Sequence, residues 1–291
     1  MKYRYYKADA FTSGDSLGNP AACIFTGNDV LTDEQMLKIG KEHKGFVCEL
    51  VFVGNSKDFD GYMTYYSSEC EVSFCGHGTI ATMYTYLKQN PDIAKKDILY
   101  IKTHLKGIIE VYNHIKDEDA VYVSAPKALY FDFPIDKQII ADRLCIPMES
   151  ISQDLPIRAI EAGNKCLVVP LSDFSTEINA FPDEKKLKEF CLTKGLDVII
   201  IFTLETEDKS HFAHTRVFCP KFGYLEDPAT GSANSAFANY LLEYKMWDGS
   251  PISIEQGGKD RIYNVVKLAT YNDKILFGGK ATLKIEGDYI I

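Results

Sequence analysis

The fold of this chain is decided by E-V-S-F-C-G-H-G-T at residues 71–79 and E-D-P-A-T-G-S-A-N at residues 226–234. Both stretches fit the pattern Glu-x-x-x-(Cys/Thr)-Gly-(His/Ser), and each leads into an apolar run typical of a helix, at residues 80–87 and 236–244. Each copy falls in its own half of the 291-residue chain. A glycine turn that leads into a helix once in each half predicts two similar domains.

The two turns also indicate the kind of ligand. The first N–H groups of a helix have no partner within the helix, and the helix dipole is positive at that end. Helix N-termini therefore attract anions. We expect a small carboxylate-bearing molecule to be held between the two halves by backbone N–H groups and a polar side chain from each turn.

Composition and charge exclude several classes of protein. Hydrophobic residues make up 46% and charged residues 25% of the chain, as in an ordinary soluble globular protein. The net charge is −9 and no run is rich in Lys or Arg, so we expect no nucleic-acid partner. The sequence has no apolar stretch of about 18 residues or more, and we expect no membrane partner. Eight cysteines without a C-x-x-C pair, and no signal-peptide pattern at the N-terminus, predict reduced thiols in a cytoplasmic protein.

Strand and helix patterns alternate in both halves, and strands outnumber helices. The segment 32–42 (T-D-E-Q-M-L-K-I-G-K-E) predicts a helix capped by Thr32. Each half has one long helix with little room for a polar stripe, which predicts a helix wrapped by its sheet. We place the domain boundary near Ser124-Ala125-Pro126, giving domains 1–125 and 126–291, with the last strand able to pair with the first domain.

Several sequence motifs together resemble those of the phenazine biosynthesis-like (PhzF) family of the diaminopimelate epimerase-like fold. The resemblance implies an α+β fold with two pseudo-symmetric domains, each a mixed β-sheet curled around a central helix, and an active site in the cleft between them. The phrases run in order along the chain: D-A-F-T-S-G-D-S-L-G-N-P-A-A (9–22), C-E-L-V-F-V (48–53), E-V-S-F-C-G-H-G-T-I-A (71–81), R-V-F-C-P (216–220), E-D-P-A-T-G-S-A (226–233) and E-Q-G-G…R (255–261).

Glu49 is the first candidate catalytic residue. It is the only charged residue in the strand-like run 48–53. A carboxylate on a partly buried strand costs free energy unless it is paired, and such surroundings suit a group that transfers protons near neutral pH. The alternative is an alternating strand whose Glu49 faces water; the resemblance, which implies an acid/base glutamate here, favours catalysis. Cys48 and Leu50 stand where the family commonly has hydroxyl side chains.

His77 would lie at the start of the first helix, where the dipole favours the neutral imidazole and a hydrogen bond to substrate. The alternative is an exposed residue in the first turn of a helix. The resemblance implies that Asp227 and Ser232 join His77 and Glu49 in the catalytic set, whereas the plain reading of the second motif is a capped polar turn. The predicted substrate-binding residues are Asn19, Cys75, Gly76, Gly78, Thr230 and Gly231. Asn19 is otherwise an ordinary Gly-Asn-Pro turn residue.

Cys75 and Thr230 discriminate between reactions. In racemases and epimerases of this fold, two cysteines face each other across the substrate α-carbon. Here the second position is Thr230, whose hydroxyl has too high a pKa to act as the partner base. Two-thiol racemisation is therefore disfavoured, and Cys75 is interpreted as a small residue packed at the turn.

These observations predict a cofactor-independent, metal-free isomerase that moves a proton within a small carboxylate-bearing metabolite, with a homodimer implied by the resemblance. Two alternatives stay open: an amino-acid epimerase or racemase, and a non-catalytic protein that binds small molecules. A metal enzyme is disfavoured because Ala81 stands at the helical i+4 position from His77.

Overall fold

The computed structural model describes residues 1–134, 136–258, 260 and 262–291. Arg261, the last residue of the motif at 255–261, lies outside the described residues. The chain has the predicted mixed fold, with many strands and few helices. It divides into two compact units: the first comprises Met1–Pro126 with Leu276–Ile291, and the second comprises Lys127–Ile275.

The first unit contains eight strands and three α-helices from the N-terminal part of the chain, and strands from the C-terminus. In order these are β1 (Lys2–Ala10), β2 (Asn19–Gly27), α1 (Asp33–Glu42), β3 (Glu49–Gly54), β4 (Gly61–Tyr66), β5 (Glu71–Val72), α2 (Gly76–Gln89), β6 (Ile98–Thr103), β7 (Gly107–His114), α3 (Ile115–Glu118) and β8 (Ala120–Ser124). A 3₁₀ turn spans Ile93–Lys95.

The second unit follows in the sequence with the same mixture of elements. These are β9 (Leu129–Phe131), α4 (Lys137–Leu144), β10 (Arg158–Glu161), β11 (Lys165–Pro170), α5 (Phe174–Asn179), α6 (Glu184–Lys194), β12 (Val198–Thr203), β13 (Ala213–Phe218), β14 (Glu226–Asp227), α7 (Gly231–Glu243), β15 (Ile252–Gln256) and β16 (Asn264–Tyr271). Short 3₁₀ turns span Met148–Ser150 and Pro220–Phe222. The last strands are β17 (Lys274–Gly279) and β18 (Ala281–Ile290).

Strands of the first unit pair in both directions. The C-terminal strand β18 runs antiparallel to β1, which also pairs antiparallel with β2. Strand β2 is parallel to β3, and β3 is antiparallel to β4. Strand β4 is parallel to β6, and β6, β7 and β8 form an antiparallel meander. The parallel pairing of β2 with β3 sets Ala21 opposite Glu49.

Helix α2 packs against β1, β2, β3, β8 and β18 of the first unit. All its residues from Gly76 to Thr85 are buried, including three threonines. A helix contacted by strands on several sides has no solvent face, which explains why its sequence lacks a polar stripe. Helix α1, by contrast, is amphipathic, and its buried Met36 and Ile39 join an apolar cluster with Ile24 and Leu50. Thr32 forms the predicted cap, in a capping box with Gln35.

The second unit is also built on a mixed sheet. Strand β11 is parallel to β12 and β13 is parallel to β15, whereas the other pairs among β9 to β16 are antiparallel. Helix α7 packs against β10, β11, β12 and β16 and is buried from Gly231 to Ala238. Helices α4 and α6 contribute Leu144, Leu187 and Phe190 to a separate apolar cluster. In the described residues, no helix has both the length and the apolar character needed to cross a membrane.

The two copies of the repeated motif occupy matching places in their own units. Strand β5 has two residues, pairs with β4 and leads into α2. Strand β14 also has two residues, pairs with β13 and leads into α7. In each unit, therefore, a short strand and a glycine turn deliver the N-terminus of the most buried helix.

Candidate active site

The first turn is organised by Cys75, which is the N-cap residue of α2 with an extended backbone. Its Sγ accepts a hydrogen bond from the Gly78 N–H at 3.2 Å. A Cβ atom on Gly78 would lie 2.8 Å from Cys75 Sγ and 2.8 Å from Val51 Cγ2, so only glycine fits beside this cap. Cys75 thus packs at the turn as expected. The Gly78 N–H, predicted to bind substrate carboxylate, donates to the thiol instead.

Glu49 and His77 meet at this turn. Glu49 is the first residue of β3 and His77 is the second residue of α2, yet the Glu49 Oε2 and His77 Nε2 atoms are 3.0 Å apart. Glu49 is 4% exposed and His77 is 5% exposed. The alternatives in which Glu49 faces water, or His77 is a solvated helix residue, are therefore wrong.

The charge of His77 is set by its neighbours. Burial by itself lowers the pKa of His77, but the Cys75 sulfur and the Glu49 carboxylate outweigh it, so the pKa lies well above its ordinary value. This direction is opposite to the one expected from the helix N-terminus alone. The raised pKa favours the imidazolium form of His77, which can donate hydrogen bonds from both ring nitrogens.

Cys75 completes a compact group of three. Its Sγ lies 3.7 Å from His77 Nδ1 and 4.0 Å from His77 Nε2. Burial raises the pKa of the Cys75 thiol, although His77 opposes that effect. One ligand atom from each of Glu49, Cys75 and His77 lies within 4.8 Å of the other two, an arrangement that suits a metal ion as well as proton transfer.

Asn19 lies on the strand beside Glu49. It is the first residue of β2, fully buried, and stands two positions before Ala21, the Cα partner of Glu49. Because side chains alternate along a strand, Asn19 and Ala21 point to the same face of the sheet. The residue before it, Gly18, has φ of +73° and its Cβ would meet Ala10 O at 2.7 Å, so this turn requires glycine. Asn19 is therefore a buried strand residue rather than part of an exposed turn.

The second turn is held by Gln256, a fully buried residue at the end of β15. Its Oε1 accepts from Thr230 N at 3.0 Å and from Asn234 Nδ2 at 2.7 Å. Its Nε2 donates to the Asp227 carbonyl at 2.9 Å and to Thr230 Oγ1 at 3.0 Å. The Thr230 hydroxyl in turn donates to the Asp227 carboxylate. Asp227 and Thr230 are thereby joined in one network.

Ser232 is held by a residue that the sequence did not single out for function. Its Oγ accepts a hydrogen bond from Asn164 Nδ2 at 2.9 Å. Asn164 lies between β10 and β11, and Gln256 belongs to the E-Q-G-G…R motif of the family resemblance. The signal for Gln256 was present in E-Q-G-G, but a glutamine in a phrase does not indicate which backbone groups it will bind.

The chain is similar to proteins of one family along almost its whole length. A family model described as phenazine biosynthesis-like protein matches residues 8–287. The chain is 30% identical over 260 residues to an uncharacterized isomerase, YfhB, of Bacillus subtilis, covering 87% of both chains. It is 26% identical over 306 residues to an uncharacterized isomerase, YddE, of Escherichia coli, covering 100% of this chain and 99% of that one. These names confirm the predicted enzyme class, an isomerase.

Solved structures show the same fold at lower identity. A Bacillus anthracis phenazine biosynthesis protein of the PhzF family superposes with a TM-score of 0.85 at 24% identity, covering both chains fully. A predicted epimerase from Pseudomonas aeruginosa superposes with a TM-score of 0.79 at 20% identity, covering 99% of each chain. A hydroxyproline epimerase from Agrobacterium vitis is more distant, with a TM-score of 0.65 at 11% identity, covering 99% of this chain and 91% of that one.

Proposed function

The chain belongs to the phenazine biosynthesis-like family, and on that premise we propose that it is a cofactor-independent isomerase that moves a proton within a small carboxylate-bearing metabolite. The single observation that carries this proposal is the buried contact between Glu49 Oε2 and His77 Nε2 at 3.0 Å. A carboxylate and an imidazolium held together out of water form an acid/base pair placed for proton transfer.

In the proposed reaction the Glu49 carboxylate takes a proton from a substrate carbon. The electron pair of that C–H bond moves into the adjacent conjugated system and gives an enolate- or dienolate-like anion. The protonated His77 stabilises the developing negative charge through a charge-assisted hydrogen bond. Glu49 then returns the same proton to a different carbon, so the substrate is isomerised and the enzyme is restored.

Backbone N–H groups at the two helix starts are proposed to bind carboxylate. On the first turn these belong to Gly76 and His77, because the Gly78 N–H donates to Cys75. On the second turn they belong to Gly231 and Ser232, with the Ser232 hydroxyl held in place by Asn164. Helix N-termini bind anions through such N–H groups and the helix dipole. Asp227 is proposed to complete the catalytic set through Thr230.

We further propose that the two units are pseudo-symmetric domains, each with a mixed sheet curled around its central helix. The matching order of short strand, glycine turn and buried helix supports this proposal. Family resemblance supports a homodimer working in a biosynthetic step in the cytoplasm. Light scattering of the purified chain tests the dimer, and fractionation of cells tests the location.

Incubation in D₂O with a panel of unsaturated and cyclic carboxylates tests the reaction. We expect deuterium to enter one substrate at a shifted carbon, and Glu49→Gln to abolish this exchange. The matched control is Glu71→Gln, since Glu71 Oε1 also contacts a histidine, His104 Nδ1, at 2.6 Å, but in a solvent-accessible place in the same unit. Exchange that survives in Glu49→Gln, or no turnover of any panel member, would contradict the proposal and favour a non-catalytic binding protein.

The second candidate function is an amino-acid epimerase, and Cys75 beside His77 is the observation that favours it. Against it stands Thr230, whose hydroxyl donates to Asp227 where a second thiol would be needed. The same D₂O experiment separates the two functions. Deuterium at the α-carbon with inversion of configuration indicates epimerisation, whereas deuterium at a shifted carbon indicates isomerisation.

A further inference from the structure

We propose that Glu49, Cys75 and His77 form an inhibitory binding site for a thiophilic divalent metal ion of the zinc class. One sulfur, one nitrogen and one carboxylate oxygen from these residues lie within 4.8 Å of one another. Thiolate, imidazole and carboxylate are the three ligand types that zinc takes in proteins. Sequence spacing missed the site because its ligands come from a helix cap, the first helical turn and a strand start, rather than from helical i and i+4 positions.

The distances between donor atoms are near those of a tetrahedral centre but do not yet match it. With Zn–S near 2.3 Å and Zn–N or Zn–O near 2.0 Å, ligand atoms around a tetrahedron lie about 3.3–3.6 Å apart. The Glu49 Oε2 to His77 Nε2 distance is 3.0 Å, and the Cys75 Sγ to His77 Nε2 distance is 4.0 Å. The Cys75 Sγ and Glu49 oxygen atoms lie within 4.8 Å of each other, so the donors would close on the ion by about 1 Å as it binds.

The three donors are held by regular structure. Cys75 caps α2, His77 lies in the first turn of that helix and Glu49 begins β3. The Gly78 N–H donates to Cys75 Sγ at 3.2 Å, and an outer hydrogen bond of this kind stabilises a metal-bound thiolate and fixes its direction. Ligands already in place lose little conformational entropy when an ion binds.

Charge balance also favours a divalent ion. A thiolate and a carboxylate together cancel the charge of a dication, with His77 as a neutral third ligand. Burial of a neutral, fully coordinated group avoids the desolvation cost of an unpaired charge. The second turn carries hydroxyls at Thr230 and Ser232 in the places of Cys75 and His77, so it lacks the soft donors that zinc selects.

Binding of the ion would stop proton transfer, and this part of the inference rests on the proposed function. A Glu49 carboxylate bound to a dication is a much weaker base toward a substrate proton. A metal-bound His77 nitrogen can no longer donate a hydrogen bond to substrate. Three protein ligands leave a fourth position open for water or a substrate carboxylate. The site would therefore trap the enzyme in an inactive, metal-bound form.

Cobalt(II) titration of the purified, reduced chain tests the site directly. We expect one equivalent of Co²⁺ to produce a sulfur-to-cobalt charge-transfer band in the near ultraviolet, and Zn²⁺ to displace it. Cys75→Ser keeps a capping side chain and should lose the band. The control variant Cys70→Ser, Cys145→Ser removes two exposed thiols and should keep it. A band that persists in Cys75→Ser, or no band in the wild-type chain, would overturn the proposal; a thermal melt checks that each variant is folded.

Activity separates this inference from the proposed function. Zn²⁺ is expected to suppress the D₂O exchange reaction by at least tenfold, and a chelator to restore it. If Co²⁺ binds through Cys75 but no exchange reaction is found, the metal site stands and the proposed isomerisation fails. If exchange is found and neither Co²⁺ binding nor Zn²⁺ inhibition occurs, the isomerisation stands and the metal site fails.

Discussion

The starts of α2 and α7 have the same backbone plan and different chemistry. At α2 the polar groups are a thiol, an imidazole and, from β3, a carboxylate. All three are ionisable. At α7 most are hydroxyls and amides, tied together by Gln256 and Asn164, with Asp227 as the ionisable member. The repeated turn thus preserves the placement of a helix N-terminus while its side chains differ. In the proposed function, the first turn transfers protons and the second holds an anion.

Each unit contains a buried His–Glu pair, and the pKa of the histidine is shifted in opposite directions in the two units. In the first unit, burial lowers the pKa of His77, but the Cys75 sulfur and the Glu49 carboxylate outweigh it and raise that pKa; His77 Nε2 lies 3.0 Å from Glu49 Oε2. In the second unit, His214 Nδ1 lies 3.1 Å from Glu177 Oε2, with both residues fully buried. There burial raises the pKa of Glu177, while burial and the nearby Arg216 lower the pKa of His214 to about 3. Similar spacing therefore goes with opposite shifts of the histidine pKa, because burial and the surrounding charges act together on each imidazole.

The largest expected effect concerns the different proposed roles of the two turns, with His77 acting in catalysis and Ser232 in substrate binding. His77→Asn should lower kcat of the isomerisation by about 10²–10⁴-fold, because it removes the cation that stabilises the developing anion. Ser232→Ala should mainly raise KM, because it removes a substrate contact. Steady-state kinetics on the substrate identified by deuterium exchange measure both. Equal losses of kcat in the two variants would show that the turns share the chemistry.

The stability of the second turn should depend strongly on the side-chain amide of Gln256. Gln256→Leu leaves the Thr230 N–H and the Asn234 amide without their buried acceptor. We expect a loss of about 2–4 kcal/mol in the free energy of unfolding, measured with urea. Gln138→Leu, on the exposed side of α4 where Gln138 bonds Asp142, is the control and should cost well under 1 kcal/mol. Similar losses in both variants would mean that Gln256 does not hold the turn.

The first turn has Gly78 where the second has Ala233. Exchanging these two residues tests whether the first turn is too tightly packed for a Cβ atom. Gly78→Ala makes the first turn resemble the second, but its Cβ would lie 2.8 Å from Val51 Cγ2, so we expect a loss of about 1–3 kcal/mol. The reverse change, Ala233→Gly, should cost about 1–2 kcal/mol, through helix propensity and the loss of a buried methyl group. Thermal or urea unfolding measures both. An unchanged or higher free energy of unfolding in Gly78→Ala would show that the first turn can accommodate a Cβ atom, contrary to the prediction.

The last expected difference between the units is in pH dependence. The folded-state pKa of His77 is raised, so its contribution to stability is complete below the unfolded pKa of about 6.5 and is lost as pH rises through the folded value. His214 has a lowered pKa, so its contribution is present above about 6.5 and is lost as pH falls toward about 3. NMR titration of the imidazole signals should show His77 protonated and His214 neutral at pH 7. If the imidazole signals of His77 and His214 both titrated near about pH 6.5, the predicted difference between the two pKa values would be wrong.

Some elements were predictable because they depend on near neighbours. The helix predicted over 32–42 is observed at Asp33–Glu42 with its Thr32 cap, since capping is a matter of three residues. The strand predicted over 48–53 is observed at Glu49–Gly54, since a run of apolar residues favours a strand. The contacts of Gln256 and Asn164 were not predictable in this way. Each depends on a partner far along the chain, brought close by strand pairing.

The sequence by itself determined the family, the isomerase class, the mixed fold and the two glycine turns that begin α2 and α7, because these follow from local patterns and ordered motifs. It also singled out Glu49, the one charged residue of an apolar strand. Only the tertiary structure decided that Glu49 contacts His77 close to Cys75, that the Gly78 N–H donates to the thiol, and that the neighbours of His77 raise its pKa. These facts depend on sheet register, burial and distances of a few ångströms between groups that are remote in sequence, and electrostatic interactions respond to those distances rather than to sequence order.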